Sequence, residues 1–200
     1  MKAITDPLHI FNYLRIYKNV VHEGINKNIL EICKSSIPQF QKARIYANNQ
    51  KPQQLQEKIR SVDGWNLDNI TDDSKTAQYL CNLFKKIFSE YTRTYMNSIS
   101  FKNYGFSITT IDILKYIKGG HYVYHHDDCF NAPRTFSCIY LINDGYEGGE
   151  LCFNTLSGSN ELIIPSEPNS LIMWPSNFMY QHTIKPVTEG ERYSVVSWIR

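Results

Sequence analysis

The chain lacks most of the features that place a protein quickly. Its 200 residues carry a formal net charge of +2. No surplus of one sign therefore marks it for nucleic acid or an anionic membrane, and neither partner is expected. No apolar run is long enough to span a bilayer, and the opening Met1-Lys2-Ala3-Ile4-Thr5-Asp6-Pro7 is not followed by the apolar stretch of a secretory signal. A cytoplasmic protein is the expectation. The five cysteines, Cys33, Cys81, Cys129, Cys138 and Cys152, are odd in number and none stands in CxxC spacing. That argues against a disulfide framework or a zinc ribbon and for reduced thiols. There is no internal repeat and no low-complexity tract. One domain over residues 1–200 is expected, long enough for an apolar core without staples.

Two amphipathic segments stand in the first half. Ile25, Ile29, Ile32, Cys33 and Ile37 recur at helical spacing and stop before Pro38. Residues 41–73 are polar and mixed, with a lone Trp65, and read as loop with short elements. From residue 74 to about 97, Ala77, Leu80, Cys81, Phe84, Ile87, Phe88, Tyr91 and Tyr95 form one stripe. Thr71, Asp72, Asp73 and Ser74 offer N-caps.

After residue 100 the period becomes two. Strands are predicted over 107–117, 121–127, 135–142, 149–153, 161–164, 169–174, 177–185 and 191–199. Turn residues separate them, among them Gly119-Gly120, Gly148-Gly149, Ser157-Gly158-Ser159-Asn160 and Glu189-Gly190. Such a run of short strands predicts an α+β fold with a mainly β core, a jelly roll over 101–200. Residues 1–100 then form a helical and irregular support, its apolar stripes packed on one sheet.

Within that half stands His125-His126-Asp127-Asp128. Residues two apart on a strand face the same side, so His125 with Asp127, or His126 with Asp128, can reach one metal. With a distant histidine, His182, either pair makes the two-His, one-carboxylate set that binds Fe(II) on one face and leaves the other open. Taken alone, an HxD is more often an exposed strand edge, and a zinc hydrolase site uses similar ligands. Arg192 changes the weight. If the turn Pro186-Val187-Thr188-Glu189-Gly190 is a hairpin centred on Val187, His182 and Arg192 are cross-strand partners with Cβ atoms roughly 5 Å apart. A guanidinium suited to a carboxylate then sits beside a metal ligand, with Ser194 on the same face.

The stretch from about Ile111 to Arg200 resembles the Fe(II)/2-oxoglutarate-dependent oxygenases, most closely their prolyl 4-hydroxylase-like branch. The matching text is Tyr116-x-x-Gly119-Gly120-x-Tyr122-x-x-His125-x-Asp127, Arg134-x-x-Ser137, Tyr140-Leu141-Ile142-Asn143-Asp144 and Gly148-Gly149-Glu150-Leu151. It continues with His182-x-x-x-Pro186-Val187 and Gly190-x-Arg192-Tyr193-Ser194. The resemblance implies a double-stranded β-helix. Its tyrosine three residues before the ligand histidine matches Tyr122, which selects His125, Asp127 and His182 as metal ligands. It further implies that Arg192, helped by Ser194 and Tyr116, pairs with the distal carboxylate of 2-oxoglutarate, and that Arg134 and Trp198 approach the substrate. Many relatives carry Lys where Arg192 stands, and Leu141 replaces a tyrosine that bonds 2-oxoglutarate in some of them. Trp65 and Trp174 are read as packing residues, Gly148 and Gly149 as turn residues, and His121 as no ligand.

The expected activity is a dioxygenase that uses Fe(II), 2-oxoglutarate and O2, with ascorbate as reductant. It hydroxylates an unactivated C–H bond, foremost of a prolyl residue in a peptide or protein. A free amino acid or small metabolite is the alternative substrate. A non-catalytic jelly-roll binding module is the alternative of another class.

Overall fold

The computed structural model describes residues 9–43, 57–68, 74–101, 104–155 and 160–200. The parts of 41–73 that fall at 44–56 and 69–73, including the caps Thr71 to Asp73, lie outside them, as do residues 157–159 of the Ser157–Asn160 turn.

The first half holds strands β1 (Arg15–Lys18), β2 (Gln41–Lys42), β3 (Arg60–Ser61) and β4 (Asp63–Asn66), with helices α1 (Glu23–Lys34) and α2 (Lys75–Ser98). The second half begins with β5 (Asp112–Tyr116), β6 (His121–His125), β7 (Phe136–Leu141), β8 (Glu147–Gly148) and β9 (Leu151–Asn154). It ends with β10 (Glu161–Ile164), β11 (Ser170–Pro175), β12 (His182–Ile184), β13 (Val187–Glu189) and β14 (Arg192–Ile199). The strands form a seven-stranded sheet in the order β1-β11-β7-β14-β5-β4-β2 and a five-stranded sheet in the order β10-β9-β12-β6-β3; β13 and β8 pair on their own. Every pairing is antiparallel. This is the double-stranded β-helix that the resemblance implies, built from the short strands that the period-two pattern predicts.

Alternation along β14 shows how the layers are built. Tyr193, Val195 and Ile199 enter one core with the α2 stripe of Ala77, Leu80, Phe84 and Phe88. Val196 and Trp198 enter a second core between the two sheets, with Tyr116, Leu141, Phe153 and Trp174. Period two thus gives the large sheet a helix-covered back and an inner front. The helices pack on one sheet as expected. Ser74 caps α2, its Oγ accepting from the Ala77 N–H at 3.3 Å. Helix α1 stops at Lys34, where Ser35 closes it, and Ile37 stands exposed outside it.

Several strand boundaries differ from the pattern. The expected strand 107–117 narrows to Asp112–Tyr116, with Ile108 in a single bridge to Ile199. Strand β6 ends at His125, so Asp127 lies beyond it. There the N–H groups of Asp127 and Asp128 both donate to Ser176 O, at 3.2 and 3.0 Å, which turns the chain off the sheet. The expected strand 177–185 opens as a 3-10 turn, Phe178–Tyr180, because Asn177 Oδ1 accepts the Met179 N–H.

The proposed hairpin between His182 and Arg192 is not formed. His182 pairs with His125 and Phe153 in the small sheet, whereas Arg192 pairs with Tyr116 in the large one. The intervening Val187–Glu189 pairs instead with Glu147–Gly148. Gly148 permits this close crossing: its φ is +70°, and a Cβ there would lie 2.2 Å from Pro186 O.

Helix α1 is tied to the large sheet by a buried polar cluster. Tyr140 Oη donates to Asn26 Oδ1 at 2.6 Å, with Asn169 Oδ1 at 3.0 Å sharing the proton, and Asn26 Nδ2 donates to Ile142 O. Tyr140→Phe strands a buried amide oxygen. It should lower stability by about 1–3 kcal/mol in urea unfolding, with the slope unchanged.

Candidate metal centre and its cleft

The inner face carries the one group of three or more metal-ligating side chains among the described residues: His125, Asp127 and His182, whose ligand atoms all lie within 4.8 Å of one another. His125 and His182 stand on neighbouring strands as direct partners. Asp127 reaches the same point from the turn after β6. His126 is exposed, and Asp128 Oδ1 accepts the Arg134 N–H at 3.0 Å. The structure thus converges on the 125/127 register and leaves the 126/128 one apart.

Both imidazoles are oriented in the same way. His125 Nδ1 lies 2.9 Å from Val123 O, and His182 Nδ1 lies 3.0 Å from Tyr180 O. A carbonyl can only accept, so each Nδ1 carries the proton and each Nε2 turns its lone pair inward. These Nε2 atoms lie 3.7 and 3.5 Å from the two Asp127 oxygens. Those gaps exceed a hydrogen bond and suit a shared cation. Burial, with His182 adding to it, pushes the His125 imidazole down to about 3, so it is neutral near pH 7. Burial alone would raise the Asp127 carboxyl. The two histidines, the Ser137 hydroxyl and Arg134 outweigh it and hold the carboxyl below its ordinary value.

Asp127 is held by a relay. Ser137 Oγ donates to Asp127 Oδ2 at 2.6 Å and lies 2.7 Å from Ser176 Oγ. A hydroxyl has one proton, so Ser176 donates to Ser137 and Ser137 to the carboxylate. Arg134 Nη1 donates to Asp127 O at 3.0 Å, and its guanidinium stacks on Trp198 at 3.8 Å. The sequence offered Ser137 only as part of a motif, and Ser176 carried no signal at all.

Arg192 sits in the inner core at 1% exposure. Its Nη1 donates to Ser194 Oγ at 2.9 Å, and the guanidinium lies 5.2 Å from the Tyr116 ring, the cross-strand partner. Its Nε has no hydrogen-bond partner, and among the described residues no carboxylate lies within ion-pair distance. A buried cation in that state calls for an anion. Gly149 makes room for it, since a Cβ there would lie 3.0 Å from Arg192 Cδ.

A cleft of about 830 Å³ opens on the cluster. Its wall includes the three ligating side chains, Tyr116, Arg134 and Trp198. It also takes in Arg60 and Tyr122, for which the sequence suggested no structural role. Trp174, read as packing, stands edge-on to His182 with ring centres 5.0 Å apart. His121 Nδ1 lies 2.9 Å from Gly119 O, and the residue takes no part in the cluster. All five cysteines are free, and no helix of the described residues is long and apolar enough to cross a membrane.

The donor set fits Fe(II). Two imidazoles and one carboxylate occupy one face and leave positions for other ligands. The unpaired Arg192 fits a dicarboxylate whose far end lies away from that cation.

Comparison with known proteins agrees. Residues 111–200 match the family model described as the 2OG-Fe(II) oxygenase superfamily. A PKHD-type hydroxylase of Parvibaculum lavamentivorans is 34% identical over 90 residues, 43% of this chain and 39% of that protein. One of a Synechococcus strain is 35% identical over 85 residues, 40% of this chain and 36% of that protein. These matches span about two fifths of the relatives' length. Among solved structures, a Pseudomonas putida prolyl-4-hydroxylase superposes with a TM-score of 0.67 at 17% identity, over 98% of this chain and 95% of that one. A Trichoplax adhaerens prolyl hydroxylase in complex with a hypoxia inducible factor peptide fragment gives 0.69 at 18% identity, over 97% and 86%. Residues 111–200 are thus similar to the 2OG-Fe(II) oxygenase superfamily, and the fold is that of the prolyl 4-hydroxylase structures.

Ser137→Ala removes the hydroxyl that fixes Asp127. Mn(II) titration of the anaerobic protein should show affinity lower by on the order of tenfold, with the fold retained.

Proposed function

We propose that this protein is an Fe(II)- and 2-oxoglutarate-dependent dioxygenase that hydroxylates a prolyl residue in a peptide or protein. The observation that carries the reading is the pairing of a His125, Asp127 and His182 cluster with a buried, anion-seeking Arg192 in one sandwich. His125, Asp127 and His182 hold the metal. Arg192 binds the distal carboxylate of 2-oxoglutarate, with Ser194 and Tyr116 beside it. Oxidative decarboxylation of 2-oxoglutarate by O2 at the iron supplies the hydroxylating power, and ascorbate restores iron that has lost its reduced state. The chain's own part is geometry. The relay from Ser176 through Ser137 keeps the carboxylate ionised and aimed. The two backbone-bonded Nδ1 protons keep both Nε2 atoms available, and the aromatic walls exclude water.

The prolyl substrate is supported by the named activity of the structural neighbours, one of which holds a peptide, and by the size of the cleft. Arg134 and Trp198 line its wall as one stacked unit, where an extended peptide can lie against them. The residues 1–200 act as one domain in this reading, the N-terminal half supporting the β core.

Incubation with Fe(II), 2-oxoglutarate, ascorbate and a proline-rich peptide should release succinate and add about 16 mass units to the peptide, one oxygen. Arg192→Ala should weaken 2-oxoglutarate binding by about 100-fold or more while Mn(II) still binds. His182→Ala should abolish succinate release, and His126→Ala should keep it. A protein that binds neither Mn(II) nor 2-oxoglutarate is the binding module instead.

A further inference from the structure

The two histidines of the cluster are held by different means. The His182 ring lies in the inner core, with Trp174 at 5.0 Å and Phe153 at 5.6 Å between ring centres. The His125 ring has neither neighbour. It is the last residue of its strand, and its side chain is 17% exposed against 7% for His182. The bond from Nδ1 to Val123 O fixes one direction in its plane and leaves the tilt of the plane to something else. The His182 ring meets the His125 ring at 4.3 Å and 55°, and the ring that lies flat on His125 is Tyr122, at 3.5 Å between centres and 20° between planes.

Tyr122 is in turn covered by Arg60, whose guanidinium carbon lies 4.9 Å from the ring centre. No guanidinium fits between two rings at stacking distance, so Arg60 takes the face that His125 leaves free. The strand carrying Arg60 has two residues, and both pair with β6: Arg60 with Tyr122 and Ser61 with His121. The Val123 N–H, on the residue whose carbonyl holds His125, donates to Ile59 O at 2.9 Å. The segment 59–61 therefore grips the strand that carries the more exposed ligand, and it lies outside the family-matched residues 111–200.

We propose that Arg60 is a positioning residue of the metal centre, acting through Tyr122 to hold the His125 imidazole with Nε2 facing Asp127 and His182. The proposal rests on the metal-binding reading above. The cation attracts the face of the tyrosine ring and pins it, and the pinned ring fixes the imidazole plane. Without the cation the Tyr122 ring is free to turn, and His125 turns with it.

The test separates this role from the metal reading. Nitrogen-edited NMR of the metal-free protein reads the His125 ring tautomer, and Mn(II) titration reads affinity. Arg60→Lys keeps a cation for the ring, whereas Arg60→Gln keeps a long polar chain without charge. Wild type and Arg60→Lys should show a single Nδ1-protonated His125 and Mn(II) affinities within about threefold of each other. Arg60→Gln should show an averaged or second His125 form and affinity lower by about tenfold, with His182 signals unmoved. Tyr122→Leu should reproduce the Arg60→Gln result, which keeps the test open if one variant misfolds by near-ultraviolet circular dichroism. The proposal is overturned if Arg60→Gln leaves His125 and the affinity unchanged, or if Arg60→Lys is as damaged as Arg60→Gln. If wild type takes up no Mn(II), the metal reading fails, and the NMR comparison still decides whether Arg60 orients the ring.

Discussion

Two buried opposite charges that do not neutralise each other govern this structure. Asp127 is 8% exposed and Arg192 1%, yet no ion pair joins them among the described residues. Burying either charge alone costs several kcal/mol, and direct pairing would remove much of that cost. The fold prevents it by assigning them to different walls. Arg192 starts the last strand of the large sheet, and Asp127 follows a strand of the small one. Each keeps a partial set of partners. Asp127 has a serine hydroxyl, two imidazole nitrogens and the Arg134 guanidinium at 3.8 Å, and Arg192 has one serine oxygen and the face of a tyrosine. The first set is completed by a cation and the second by an anion. A metal and a carboxylate ligand would satisfy the two sets in turn, as the proposed function requires.

The helices serve this arrangement from behind. The inner core shares its space between apolar side chains such as Leu141, Phe153 and Trp174 and the charged groups of the cluster, and the large sheet buries a second, apolar layer on its other face. The α2 stripe buries Leu80, Phe84 and Phe88 completely against Tyr140, Leu171 and Val195. Burial of that kind contributes about 1.5–3 kcal/mol for each large side chain. The back of the sheet thereby stabilises a front that carries the chemistry. The same strand does both jobs, since consecutive residues of β14 point to opposite faces.

What could be read in the sequence was whatever depends on local spacing. The α2 stripe and the alternation of β14 are short-range patterns, and both appear where the pattern placed them; the pattern also put Asp127 on a strand, which ends instead at His125. The hairpin between His182 and Arg192 failed because a turn signal such as Glu189-Gly190 says that the chain bends, not which strand it meets next. The partner of Val187–Glu189 is Glu147–Gly148, some forty residues earlier, and nothing local announces it. Strands of two residues, such as Arg60–Ser61, are too short to show any period, so the grip on β6 was invisible. Ser176 was hidden for a related reason, being joined to Ser137 only because their strands β11 and β7 lie side by side.

The same division explains why the chemistry is easier to read than its target. The metal-ligating residues, Arg192 and Ser194 all fall within residues 111–200, where the family pattern applies. Part of the cleft wall does not: Gln41, Lys42, Arg60 and Asn66 come from strands that precede that region. Asn66 donates to Asp112 at 2.7 Å, so a residue of the unmatched half sets the orientation of an acid at the cleft. Reaction type is encoded by a few side chains whose mutual geometry tolerates little change. Substrate choice depends on the shape and polarity of a wall, to which short, irregular segments contribute alongside the strands of the sandwich.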